Sequence, residues 1–316
     1  MSLVSVDGLS KHYGEKNALS EVTFDIKRGE IVALLGPNGS GKTTLVKCMA
    51  SLVIADKGEI AFDGISTKSD RTYLSDLGAV LEGSRNIHWR LTVEQNAKYF
   101  ARMRGASSAS VNARMERLIE MLGLAAYRKL EAGKLSTGNR QKVAVLCALV
   151  HRPSMVLMDE PTLGLDLATV EAIRDFIVEE VQREGRTFMI TSHDLQFVED
   201  ICERVLVIHE GRLLFDGALA YLKHKLHQYE AVWEFNIEVN ESLMARLRGA
   251  LNDDGELLMP APNRIVARFN DVAVGLRLAE LSALAADNVI HFESKRISME
   301  KAYRKLLEDA ADASIC

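Results

Sequence analysis

The stretch EIVALLGPNGSGKTTLVKCMA, Glu30 to Ala50, decides how this chain folds. Ile31 to Leu35 form an apolar run that reads as a strand buried on both faces. The run breaks at Gly36, and from Lys42, Thr43 and Thr44 onward apolar residues recur at helical intervals. Gly36, Gly41, Lys42 and Thr43 fit G-x-x-x-x-G-K-[ST] between a strand and a helix. Such a loop wraps phosphates in backbone N–H groups at a helix N-terminus. Gly36, Asn38, Gly39, Ser40, Gly41, Lys42, Thr43 and Thr44 are therefore expected to hold nucleotide phosphates. Lys42 would reach the β- and γ-phosphates, and the Thr43 hydroxyl would face Mg²⁺.

Two more apolar strands are read downstream. SMVLMDEP places Asp159 and Glu160 where a strand ends. Asp159 suits Mg²⁺, and Glu160 suits the base that activates a water. RTFMITSHD sets His193 at the end of the next strand, within reach of a γ-phosphate or that water. Between them, VEAIRDFIVEEVQREG is an amphipathic helix closed by Gly185. Strand–helix–strand alternation predicts a parallel sheet with its chemistry at the strand C-termini. RVLVIHEGRLLFDG reads as a hairpin turning at Glu210-Gly211. KLSTGNRQKVAVLCALV, Lys134 to Val150, reads as a second helix opened by Ser136, Thr137 and Gly138, again suited to an anion.

After Gly217 the pattern changes to LAYLKHKLHQ (helix), VWEFNIEV (strand), ESLMARLRGAL (helix), RIVARF (strand), VGLRLAELSALA (helix), VIHFES (strand) and SMEKAYRKLLEDA (helix). We expect a small α/β domain over residues 221–316, with residues 1–220 forming the nucleotide-binding domain. His224 and His227 lie three apart on a helix, but a solvated lysine-rich face explains them better than a metal.

The 316 residues are 47% hydrophobic and carry a net charge of −5, which argues against bulk attraction to nucleic acid. Cys48, Cys147, Cys202 and Cys316 are scattered and suit buried thiols. MSLVSVDGLS does not read as a secretion leader. No apolar run approaches the ~18 residues that span a bilayer.

Taken together, GPNGSGKTT, LSTGNRQ, MVLMDE, PTLGLD and SHD resemble, in order and interval, the motifs of the nucleotide-binding subunit of ABC transporters over about residues 3–217. The resemblance implies an α/β P-loop NTPase fold with a mostly parallel sheet core. It also implies an antiparallel β subdomain and a helical subdomain at about residues 85–150. ATP and Mg²⁺ are the implied cofactors, and Tyr13 falls where the family stacks an aromatic on adenine. Two nucleotide domains of the family pack head to tail, so Ser136 and Gly138 would hold the partner's ATP. Thr137 replaces a glycine of the family pattern. Glu82 replaces a glutamine that touches Mg²⁺, and is expected to hold the metal more tightly while slowing hydrolysis. The segment from Glu82 to Thr92, with Arg85, His88, Trp89 and Arg90, would meet a membrane subunit; packing of Trp89 in its own domain is the alternative.

The tail resembles the C-terminal extension of drug-resistance and ABC-2 type exporter ATPases. The resemblance thus implies an ATPase, working as a homodimer beside separate permease subunits on the cytoplasmic face of the cell membrane, without nucleic acid. A soluble ABC ATPase acting on ribosomes or DNA is the alternative, though those carry two cassettes or a long coiled coil. A poorly hydrolysing regulator is a third reading, disfavoured by Glu160 and His193.

Overall fold

The computed structural model describes residues 2–81, 87–225, 229–251, 255–284, 288–296, 303–304 and 306–307. The chain divides into two compact units, residues 1–217 and 218–316.

The first unit opens with two long strands, β1 (Ser2–Tyr13) and β2 (Lys16–Lys27), paired antiparallel. Alternation buries Val22, Phe24 and Ile26 and exposes the residues between them. The phosphate-loop strand is β3 (Ile31–Leu35), followed by α1 (Lys42–Met49). The chain then adds β4 (Lys57–Phe62) and β5 (Ile65–Ser66) to the first pair, giving a sheet in the order β2-β1-β4-β5.

A second sheet forms around β3. Its members are β6 (Leu77–Val80), β7 (Met155–Asp159), β8 (Thr187–Thr191), β9 (Arg204–His209) and β10 (Arg212–Ala218), in the order β10-β9-β3-β8-β7-β6. Strands β9, β3, β8, β7 and β6 run parallel, so their C-terminal ends share one edge. Every residue of β7 and β8 is buried, as strands covered on both faces require. The turn between β9 and β10 places Glu210 and Gly211 at positive φ (47° and 78°), the conformation of a tight hairpin.

Between β6 and β7 lie α2 (Val93–Met103), α3 (Ser108–Met121) and α4 (Thr137–Leu149). Thr92 and Gln95 form a reciprocal capping box that fixes the start of α2. Helix α5 (Leu167–Glu184) ends at Gly185 with φ 64°, as the sequence suggests, and α6 (Leu195–Ile201) follows β8.

The second unit contains α7 (Leu219–Lys225), β11 (Tyr229–Phe235), α8 (Glu241–Leu251), β12 (Gly255–Ala261), β13 (Arg264–Phe269), α9 (Val272–Leu284) and β14 (Val289–Arg296). The antiparallel pairs give the order β12-β13-β11-β14, a βαββαβ arrangement of ferredoxin type. Its core joins Trp233, Phe269, Ile265, Leu247, Val274 and Leu278. His227, most of the final helix and Cys316 lie outside the described residues. Among the described residues, no cluster of three or more His, Cys, Asp or Glu could hold a metal, and no helix is long and apolar enough to cross a membrane.

Candidate functional site

Three stretches meet at the C-terminal edge of the parallel strands. The phosphate loop leaves β3, Asp159 ends β7, and His193 follows β8. Because β3–β8 and β8–β7 are hydrogen-bonded neighbours, the topology alone brings these stretches together.

The loop is held closely from behind. Gly41 has φ 114°, and a β-carbon there would overlap the Ala18 carbonyl oxygen. A β-carbon at Gly36 would overlap the Ile208 carbonyl oxygen. Gly41 is required for conformation and for space, and Gly36 for space. Ser40 N–H donates to Pro37 O at 3.2 Å, and Ser40 O accepts from Gly211 N–H at 2.8 Å. The β9–β10 turn therefore buttresses the loop. Ser40 Oγ is buried and has no protein partner. Lys42 Nζ donates to the carbonyls of Gly36 (2.6 Å) and Pro37 (3.1 Å). Burial lowers the Lys42 pKa from its ordinary value, opposed by the negative charges of Glu160 and Asp159.

Asp159 is 1% exposed. Its Oδ1 accepts from Thr191 Oγ1 at 2.7 Å, and its Oδ2 has no protein partner. A buried carboxylate oxygen without a partner is costly unless a ligand completes it. One carboxylate beside hydroxyls, with phosphates to complete the shell, is a donor set that fits Mg²⁺. Thr43, the second residue of α1, supplies such a hydroxyl at the helix start.

Thr191 Oγ1 also accepts from Glu160 N–H at 3.0 Å, so one hydroxyl orders both carboxylate residues. Glu160 adopts φ 51°, unusual for a residue with a side chain. Its Oε2 accepts from His193 N–H at 3.2 Å, and its Oε1 lies 3.3 Å from His193 Nε2. Burial raises the Glu160 pKa, with His193 and Lys42 pulling against it. A carboxylate tuned upward beside a half-exposed histidine suits proton transfer.

Tyr13 ends β1 with its ring half exposed and Lys11 Nζ 5.5 Å from the ring centroid. Ser136 caps α4, its Oγ accepting from Asn139 N–H at 3.2 Å. A β-carbon on Gly138 would sit 3.1 Å from Thr169 Oγ1, so the starts of α4 and α5 abut. Among the described residues, no hydrogen bond joins Ser136 or Gly138 to residues 36–44.

Glu82 and Arg85 lie outside the described residues. Trp89 is 57% exposed but still touches its own domain: the Arg140 guanidinium lies over its ring, and its carbonyl accepts from Gly133 N–H at 2.9 Å. The turn carrying it is organised by Asn96, whose buried side chain donates to the carbonyls of His88, Leu91 and Thr92 and accepts from His88 N–H. Sequence reasoning does not find Asn96 or Thr191. An asparagine among polar helix residues looks solvated, and the register that sets Thr191 beside Asp159 is not written in the sequence.

A family profile described as ABC transporter matches residues 19–163. ABC transporter ATP-binding protein NatA of Bacillus subtilis is 35% identical over 225 residues, covering 70% of this chain and 91% of that protein. Bacitracin transport ATP-binding protein BcrA of Enterococcus faecalis is 30% identical over 228 residues, covering 72% and 73%. A solved dimeric bacterial ABC transporter cassette matches with TM-score 0.63 at 27% identity, covering 68% of this chain and 98% of that one. The same cassette is known in a post-hydrolysis state bound to ADP and Pi, with equal similarity. The phosphate loop, the two carboxylates and the histidine thus stand in a chain similar to transporter cassettes along most of its length, and this protein belongs to the family of ABC transporter ATP-binding proteins, as an ATP-hydrolysing subunit.

Proposed function

We propose that two copies of this chain bind ATP between them and drive a membrane exporter through separate permease subunits, from the cytoplasmic face of the membrane. The observation that carries the reading is the convergence at one sheet edge of Lys42, the unpartnered Asp159 oxygen and the Glu160–His193 pair. Tyr13 stacks on adenine. Residues 36–44 wrap the phosphates, with Lys42 turning from its carbonyl partners to the β- and γ-phosphates. Thr43 and Asp159 hold Mg²⁺, which offsets phosphate charge when bound.

Glu160 takes a proton from a water as its oxygen attacks the γ-phosphorus, and the bond to the ADP oxygen breaks. His193 positions that water and the γ-phosphate. Ser136 and Gly138 close on the phosphate of the other copy's ATP, so hydrolysis removes the contact and lets the pair reopen.

A groove of about 520 Å³ supports the permease assignment. It is lined by Leu52, Tyr99, Phe100, Met103, Ala148 and His151, and Leu52 and Met103 are largely exposed at its rim. Similarity to the bacitracin transport protein supports export. Co-purification from detergent-solubilised membranes tests the assignment. A complex with a multispanning protein, in which Glu160→Gln abolishes ATP turnover, is expected. Fractionation with ribosomes or DNA instead would overturn it.

A further inference from the structure

Thr137 stands where the family pattern has glycine, and its hydroxyl is in use. Arg140, one turn along α4, donates from Nη2 to Thr137 Oγ1 at 3.1 Å and from Nη1 to Leu135 O at 2.7 Å. The two acceptors flank Ser136 on either side. The guanidinium also lies over the ring of Trp89, 5.4 Å from its centroid, while Trp89 O accepts from Gly133 N–H at 2.9 Å. A planar fork can hold two acceptors and stack on an aromatic face at once, which an ammonium cannot.

We infer that Arg140 is a positioning residue for ATP-driven pairing: held against Trp89, it clamps Leu135 and Thr137 and so fixes the direction of Ser136 toward the partner's ATP. The inference rests on the proposal that Ser136 and Gly138 contact ATP held by the other copy. Arg140 touches no nucleotide itself. The side chain at position 137 is thereby recruited as a second acceptor for the fork. Because Trp89 is exposed beside the turn that Asn96 organises, displacement of its indole would be felt at Ser136 through the same guanidinium.

The test uses full-length chains carrying Glu160→Gln, so that ATP-bound pairs accumulate. Arg140→Ala, Arg140→Lys, Thr137→Ala, Thr137→Ala/Arg140→Ala, Trp89→Leu and Ser136→Arg are compared. The readouts are the ATP affinity of the monomer and the dimer dissociation constant with ATP. In chains that keep Glu160, kcat and KM are measured as well.

Arg140→Ala is expected to weaken pairing roughly tenfold, the size of one charged hydrogen bond, and to lower kcat with KM and monomer affinity unchanged. Arg140→Lys should recover only part of this, and Trp89→Leu should weaken pairing in the same direction. Thr137→Ala should cost little once Arg140 is already Ala, giving a coupled double-mutant cycle. Unchanged pairing in Arg140→Ala, additive Thr137 and Arg140 effects, full recovery by lysine, or an equal loss of monomer ATP affinity would each overturn the inference. Failure of the underlying proposal is separately visible: Ser136→Arg would then pair normally.

Discussion

Thr191 Oγ1 donates to Asp159 Oδ1 at 2.7 Å while accepting from the Glu160 amide at 3.0 Å, so a single buried hydroxyl sets both carboxylate residues at the end of β7. Thr191→Val keeps the shape and removes that link. It takes the hydroxyl partner away from Asp159, at a cost of about 1–3 kcal/mol of stability. Half-saturation of ATP turnover by Mg²⁺ should move to higher metal concentration, because Asp159 is no longer aimed. An unchanged Mg²⁺ titration would mean that Thr191 does not orient the metal-facing carboxylate.

His151 carries a pH dependence. Its Nε2 lies 3.2 Å from Leu77 O, and its Nδ1 is buried without a partner. Burial lowers its pKa from 6.5 to about 4, with Arg104 and Arg186 adding to the effect. The unfolded chain therefore takes up a proton at higher pH than the folded one. The neutral imidazole's contribution to stability is complete above pH 6.5 and is lost as pH falls from 6.5 toward 4. Urea unfolding of His151→Leu should give a flatter dependence of stability on pH between about 6.5 and 5 than the parent chain. Parallel curves would contradict this.

A buried ion cluster ties α3 to α5. Glu180 is fully buried and accepts from Arg114 and, at 2.7 Å, from Arg186, which also donates to the Pro153 carbonyl. Glu180→Gln removes the fully buried counter-charge of two guanidinium groups, leaving only the partly exposed Glu184 at 3.5 Å from Arg114 and 3.8 Å from Arg186, and should destabilise the first unit by roughly 3 kcal/mol. Arg183→Ala removes only the exposed i,i+4 pair with Glu179 and should cost about 0.5 kcal/mol or less. Similar urea midpoints for the two variants would show that burial does not separate these ion pairs.

Local pattern makes the phosphate loop legible. The spacing of Gly36, Gly41, Lys42 and Thr43 after an apolar run admits few other readings, and Asp159, Glu160 and His193 announce themselves as polar residues ending buried strands. Ser136 is readable as a helix cap because capping is local. The features that stay hidden depend on partners distant in sequence or on broken patterns. Strand β1 escapes notice although Val4, Val6 and Leu9 face inward, because Gly8 and a register irregularity break its alternation. Strand β12 escapes because Pro260 and exposed Met259 interrupt it. Glu180 and Arg114 look like the solvated faces of amphipathic helices, and only their pairing across α3 and α5 buries them.

The central claim is that Ser136 serves the other copy's ATP and not its own. The most direct measurement is the mass of Glu160→Gln and Glu160→Gln/Ser136→Arg in solution with saturating ATP, alongside the ATP affinity of each monomer. Glu160→Gln should run at twice the monomer mass, because nucleotide binding persists without turnover. The double variant should bind ATP equally well and remain monomeric. A double variant that still pairs, or a monomer that has lost ATP affinity through Ser136→Arg, would contradict the account.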